Sequence, residues 1–184
     1  MSALCDEESL QALVRDMQTH PETDLERIDA LLAQFPDDPR LLFLRGSNLI
    51  SKGRLIEAHR AMTRAVTLAP DFDIARFQLG FFQLTSGEAD NALETWGRLD
   101  RLPDTHYLRV FVDGLRRLIR DDFAGAIESL ERGILANQEN PPLSRDMQLI
   151  IDRCQPLLHG QAEDGAESET SLILQHFVSR GPPN

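Results

Sequence analysis

The chain has 184 residues, of which 41% are hydrophobic, so it has enough apolar material for a packed core. Its formal net charge is −11, from 30 acidic and 19 basic side chains. Nucleic acids and anionic membrane surfaces are recognised largely through Lys and Arg, so this acidic balance disfavours both as partners.

Three sequence features indicate the compartment. Cys5 and Cys154 lie far apart and form no CxxC pair, which fits a reducing environment better than a disulfide framework. The first ten residues, MSALCDEESL, lack the basic and apolar regions of a signal peptide. No apolar run approaches the roughly 18 residues of a membrane span. We therefore expect a cytoplasmic protein without membrane insertion.

In chain order, the first elements are two helices within residues 1–38. The helix over 6–19 has one apolar face, formed by Leu10, Leu13, Val14 and Met17. A second apolar stripe follows, formed by Leu25, Ile28, Leu31, Leu32 and Phe35. We interpret this region as an N-terminal helix pair.

Residues 39–141 repeat with a period of 34. Small residues recur at this interval at Gly46, Gly80 and Gly114 and, twelve residues later, at Ala58, Ala92 and Ala126. Large apolar residues recur at Met62, Trp96 and Leu130. Glycine and alanine let two antiparallel helices approach closely where they cross. Gly53 and Gly87, with Asp121 in the third unit, mark the end of each first helix, where a left-handed residue is favoured. The predicted helices are 39–52, 55–68, 73–86, 89–101, 107–119 and 123–136.

This pattern resembles the tetratricopeptide repeat family, whose unit is a 34-residue helix–turn–helix. The resemblance covers 39–141 and implies an all-α fold, a right-handed α-solenoid of antiparallel helix pairs. It also implies a role in protein–protein interaction. Bacterial secretion chaperones of the same type are similar in size and in having about three units.

Downstream of the repeats, Pro141 closes the third unit and residues 142–159 are predicted to form a capping helix. Residues 160–170 are small and acidic, which predicts a flexible linker. Residues 171–184 are predicted to form a short amphipathic helix and tail. The apolar stripe of that helix consists of Leu172, Ile173, Leu174, Phe177 and Val178.

The resemblance also implies a binding surface, because the first helix of each family unit lines a concave groove. Transferring the family's groove positions to this sequence gives a set that we call the predicted groove residues. They are Phe43, Leu44, Ile50, Phe77, Gln78, Phe81, Leu84, Leu108, Phe111, Val112, Leu115 and Leu118. An apolar groove of this size is unfavourable in contact with water, so we expect it to be covered, for example by an amphipathic helix of a partner. The alternative is that these side chains simply bury against neighbouring helices.

The C-terminal stripe is one candidate cover, either within the chain or exchanged between two copies as a homodimer. The leading hypothesis for function is an adaptor or co-chaperone that holds an apolar helical or extended segment of a partner. Two alternatives remain open: a self-associating scaffold with exchanged tails, and an accessory subunit of a separate enzyme.

No motif in the sequence predicts catalysis. His20, His59, His106, His159 and His176 are scattered, without the spacing of metal ligands. No HExxH, GxSxG or glycine-rich phosphate loop occurs. We therefore expect no catalytic residues, no metal and no cofactor.

Overall fold

The structure, a computed structural model, describes residues 3–19 and 23–158, together with Thr170 and Leu174. Over these residues the secondary structure is helical, without strands, and the predicted all-α class is confirmed. The helices are α1 Glu7–Thr19, α2 Asp24–Gln34, α3 Pro39–Ser51, α4 Leu55–Leu68, α5 Asp73–Thr85, α6 Ala89–Trp96, α7 Tyr107–Leu118, α8 Phe123–Ala136 and α9 Pro141–Leu158. A 3-10 helix follows α6 over Gly97–Arg101. None of the described helices combines the length and apolar character needed to cross a membrane.

The chain divides into two compact units, and the division falls inside α5. Unit 1 extends to Leu79, and unit 2 begins at Gly80 and includes Thr170 and Leu174. In both units, helices that follow one another in sequence pack against each other.

In unit 1, α1 packs on α2, α2 on α3, and α3 on α4. The N-terminal core is formed by Cys5, Leu13, Ile28 and Leu41, all of which are buried. At the crossing of α3 with α4, a Cβ atom on Gly46 would lie 2.5 Å from Met62 Cγ and 3.4 Å from the carbonyl oxygen of Ala58. Only glycine fits at this approach, as the repeat pattern predicted.

In unit 2, α7 packs on α8 and α8 packs on α9. The same close approach recurs, because a Cβ atom on Gly114 would lie 2.8 Å from Leu130 and one on Gly80 would overlap the Trp96 indole. The apolar face of α9 is buried and consists of Leu143, Met147, Ile150, Ile151 and Cys154.

The turn that ends the first helix of each repeat has the same backbone three times. Its central residue has a positive φ of 71° at Gly53, 82° at Gly87 and 57° at Asp121. In the first turn, Gly53 N–H donates to Ile50 and Arg54 N–H donates to Leu49, and equivalent bonds occur in the other two turns. This pair of bonds is the Schellman C-cap, so the predicted helix ends are confirmed.

Two boundaries differ from the prediction. The helix expected over 89–101 is α-helical only to Trp96 and continues as a 3-10 helix. Gly97 is a poor helix former, and Pro103 disfavours helical backbone at the residue before it. Pro141 begins α9 instead of closing the third unit. Proline needs no N–H partner in a first turn, and the Asn140 side chain accepts a hydrogen bond from Leu143 N–H at 3.1 Å.

Candidate partner-binding surfaces

The predicted groove residues of unit 1 are partly open to solvent on α3. Phe43, Leu44 and Ile50 are half-buried. The Phe43 ring meets the Phe72 ring edge to face, with 5.3 Å between centroids. Leu44 packs on the N-terminal core. This side of α3 therefore combines packing contacts with exposed apolar area.

The part of α5 in unit 1 carries two more predicted groove residues in different surroundings. Gln78 is half-buried, whereas Phe77 is completely buried. Phe77 therefore belongs to the packed interior of the chain.

The predicted groove residues of unit 2 are all buried. They are Phe81, Leu84, Leu108, Phe111, Val112, Leu115 and Leu118. The Phe111 ring lies directly over the position where a Cβ atom on Gly133 of α8 would be. It also meets Tyr107 edge to face at 6.0 Å. Phe111 therefore packs inside the α7–α8 pair, which is the alternative that sequence reasoning left open.

The signal for the Phe111 contact is Gly133, a glycine in the interior of a helix. Ala65 stands at the equivalent position of α4, two periods earlier. Glycine lacks the methyl group of alanine, which leaves room on α8 for an aromatic ring. The sequence analysis did not use this difference between Ala65 and Gly133.

The C-terminal segment is described at two positions, and both belong to unit 2. The backbone is helical at Thr170 and at Leu174, and their side chains are 8% and 5% exposed. The Thr170 hydroxyl lies 2.8 Å from the carbonyl oxygen of Leu118 and 2.7 Å from Asp121 Oδ1. Thr170, expected at the end of a flexible linker, is instead held at the C-terminal end of α7.

Most of the predicted tail stripe falls on residues that the structure does not describe. Leu172, Ile173, Phe177 and Val178 lie outside the described residues. Leu174 is the stripe member that the structure describes, and it is buried.

A polar network fixes the start of α3 in unit 1. The buried Asp38 carboxylate caps α3 by accepting from Arg40 N–H at 2.9 Å. It also accepts from the Arg40 guanidinium at 2.7 Å and from Cys5 N–H at 2.9 Å. Burial acts to raise the pKa of the Asp38 carboxyl, but these hydrogen bonds outweigh it and hold the pKa below its usual value. The Arg40 guanidinium is therefore occupied by internal contacts with Asp38 and with the carbonyl oxygen of Cys5.

Helix α9 of unit 2 carries two buried titratable groups. Burial raises the pKa of Asp146 from 3.8 to about 6, although nearby Arg145 acts to lower it. Burial also raises the pKa of the Cys154 thiol to about 11, which keeps the thiol protonated and unreactive at neutral pH.

Other surface features do not coincide with the predicted groove residues. A depression in unit 1 is lined by the outer side of α4, including His59 and Arg64, and by Asp37, with which Arg64 forms an ion pair. Across residues 3–19 and 23–158, no three His, Cys, Asp or Glu side chains come close enough to hold a metal ion.

Comparison of the chain with protein-family models, with curated proteins and with solved structures finds no match.

Proposed function

We propose that this chain is a cytoplasmic, tetratricopeptide-type solenoid that acts as an adaptor or co-chaperone. Its ligand is an apolar helical or extended segment of a partner polypeptide. The 34-residue recurrence of glycine contacts and of left-handed turns supports the assignment to this repeat type.

One observation carries the proposal for binding: the chain's own C-terminal segment reaches the end of α7. Thr170 donates to the carbonyl group of Leu118, which is a predicted groove residue, and Leu174, four positions later, is buried. In a helical partner, residues four positions apart lie on one face. A partner helix with the same pattern, a small polar residue followed by apolar residues, would use the same contacts.

The strength of such a ligand can be estimated from the docked segment. A short flexible linker gives an effective concentration on the order of 1 mM. A segment that is docked about ten times as often as it is free therefore needs a dissociation constant of about 0.1 mM or lower as a separate peptide. A partner that displaces the segment has to bind more tightly than this.

The first experiment uses a fluorescent peptide with the sequence of residues 168–180. It is titrated into the chain ending at Gly160 and followed by fluorescence anisotropy. We expect saturable binding near 0.1 mM or tighter, and at least about tenfold weaker binding of the same peptide carrying Leu174→Glu, because a buried leucine is lost. No saturable binding would contradict the proposal.

The second experiment identifies the partner. The full chain and the chain ending at Gly160 serve as baits in affinity capture from the native host. The expected partner is enriched on the shorter bait and is displaced by the peptide but not by its Leu174→Glu form. Phe43→Glu tests whether the partly exposed apolar side of α3 contributes to partner binding. The matched control is Ile56→Glu on α4, because Ile56 is 73% exposed.

A self-associating scaffold is the competing outcome. In that case the segment of one copy occupies the other, and light scattering would show a dimer for the full chain and a monomer for the chain ending at Gly160.

A further inference from the structure

The third turn of the repeat differs from the first two at its most constrained position. Gly53 and Gly87 occupy left-handed backbone at no steric cost, whereas Asp121 adopts φ 57° with a side chain present. Aspartate tolerates this conformation better than most residues, but glycine remains the favoured choice. A residue kept in a disfavoured conformation suggests a role for its side chain.

The Asp121 side chain has such a role, because its Oδ1 atom lies 2.7 Å from the Thr170 hydroxyl. Leu118 O, 2.8 Å from the same hydroxyl, already accepts from Asp121 N–H within the C-cap. The hydroxyl has one proton to share between the two acceptors. A carboxylate makes the stronger hydrogen bond, so glycine at position 121 would leave only the weaker acceptor.

We infer that Asp121 and Thr170 form a latch that holds Thr170 and Leu174 on unit 2 and keeps a partner's segment out. The occupant of this surface is therefore the chain's own segment beginning at Thr170. The competition with a partner rests on the proposed function, whereas the latch itself does not.

The latch predicts that a partner binds only when the Thr170 contact opens. The apparent affinity of the partner for the full chain equals its intrinsic affinity multiplied by the fraction of molecules in which the segment is released. Thr170→Val should therefore strengthen partner binding, because it breaks the latch and leaves Leu118 and Asp121, which the partner would contact, unchanged.

The test is hydrogen–deuterium exchange of the full chain alone, followed by mass spectrometry of peptides covering residues 168–180. Thr170→Val removes the donor and keeps the side-chain shape, and Asp121→Gly removes the carboxylate while restoring the residue found in the other two turns. We expect each variant to accelerate exchange of this segment by about tenfold, since a hydrogen bond to a charged group is lost. The double variant should exchange little faster than Thr170→Val alone, because that variant already removes the bond to Asp121.

Three controls separate the latch from a general loss of stability. Thr170→Ser keeps the donor, and we expect it to stay close to the unmodified chain. Asp121→Asn keeps an acceptor without the charge, and we expect it to accelerate exchange less than Asp121→Gly does. Thr85→Val removes another half-buried hydroxyl, which bonds to Phe81 O and Phe82 O at 3.0 Å, and should leave the segment unchanged. Exchange of residues 107–118 should stay the same in all variants.

The inference is overturned if Thr170→Val and Asp121→Gly leave the exchange of the segment unchanged. It is also overturned if light scattering shows a dimer that these variants dissociate, because the contact would then join two copies. If the variants release the segment but the labelled peptide never binds, the latch stands and the proposed function fails.

Discussion

Helices α3 of unit 1 and α7 of unit 2 begin at equivalent positions of the repeat, two periods apart, yet their apolar residues have different environments. Phe43 on α3 is half-buried, whereas Phe111, at the same position of α7, is completely buried. The Phe111 ring packs over Gly133 of α8, at a position where α4 has Ala65. A shared repeat position therefore does not imply a shared degree of exposure.

The largest expected effect tests this comparison directly. Phe111→Ala should destabilise unit 2 by about 3–5 kcal/mol, because it leaves a cavity over Gly133. Phe43→Ala should cost only about 1 kcal/mol, because its ring is partly in water already. Urea unfolding measures both, with circular dichroism following the whole chain. The fluorescence of Trp96, the chain's single tryptophan, follows unit 2.

Gly133→Ala is the companion variant for this pair. It restores the residue that α4 has and should destabilise unit 2 by displacing the Phe111 ring. Equal losses for Phe43→Ala and Phe111→Ala would show that the two positions have the same environment after all.

Buried carboxyl groups provide a second contrast between the units. Asp38 in unit 1 has its pKa held below the usual value by hydrogen bonds, whereas Asp146 in unit 2 has its pKa raised by burial. The first group stabilises the folded chain as an anion, and the second is easier to bury as a neutral acid.

We expect Asp38→Ala to destabilise unit 1 by about 2–3 kcal/mol, because it removes the cap of α3 and leaves Arg40 and Cys5 N–H without this acceptor. The folded-state pKa is lowered, so the contribution of Asp38 is complete above about pH 4 and is lost as pH falls through the lowered pKa. Urea unfolding of both chains at several pH values measures this difference. Asp38→Asn keeps a capping side chain and should lose less stability than Asp38→Ala. An equal loss of stability in the two variants would show that the whole effect comes from the ion pair with Arg40.

The substitution of Asp146 is expected to stabilise the chain, in contrast to the substitutions above. The pKa of Asp146 rises from 3.8 to about 6 on folding, so between these values the folded chain holds a proton that the unfolded chain releases. Stability therefore falls as pH increases through this window, and the penalty is complete above it. Asp146→Asn should stabilise the chain by about 1–2 kcal/mol at pH 7, less than the shift alone implies because a buried amide also needs partners. Thermal unfolding at pH 4 and pH 7 measures it, and a variant that is less stable at pH 7 would show that the anion is favourably paired.

The sequence by itself determined the helices and the way in which successive helices meet. Gly46 and Gly114 predicted the close crossings, and Gly53 predicted a left-handed helix end, because each of these features depends on residues that are close along the chain. Local steric and hydrogen-bonding rules are sufficient for such contacts.

Only the tertiary structure decided which apolar side chains are covered and what the C-terminal segment touches. Phe111 packs over a glycine of the next helix, and Asp121 contacts Thr170, which is 49 residues away. Periodicity shows which face of a helix a residue is on, but it carries no information about what lies against that face. Contacts between residues far apart in sequence arise from packing of the whole chain, so the pattern within one repeat could not predict them.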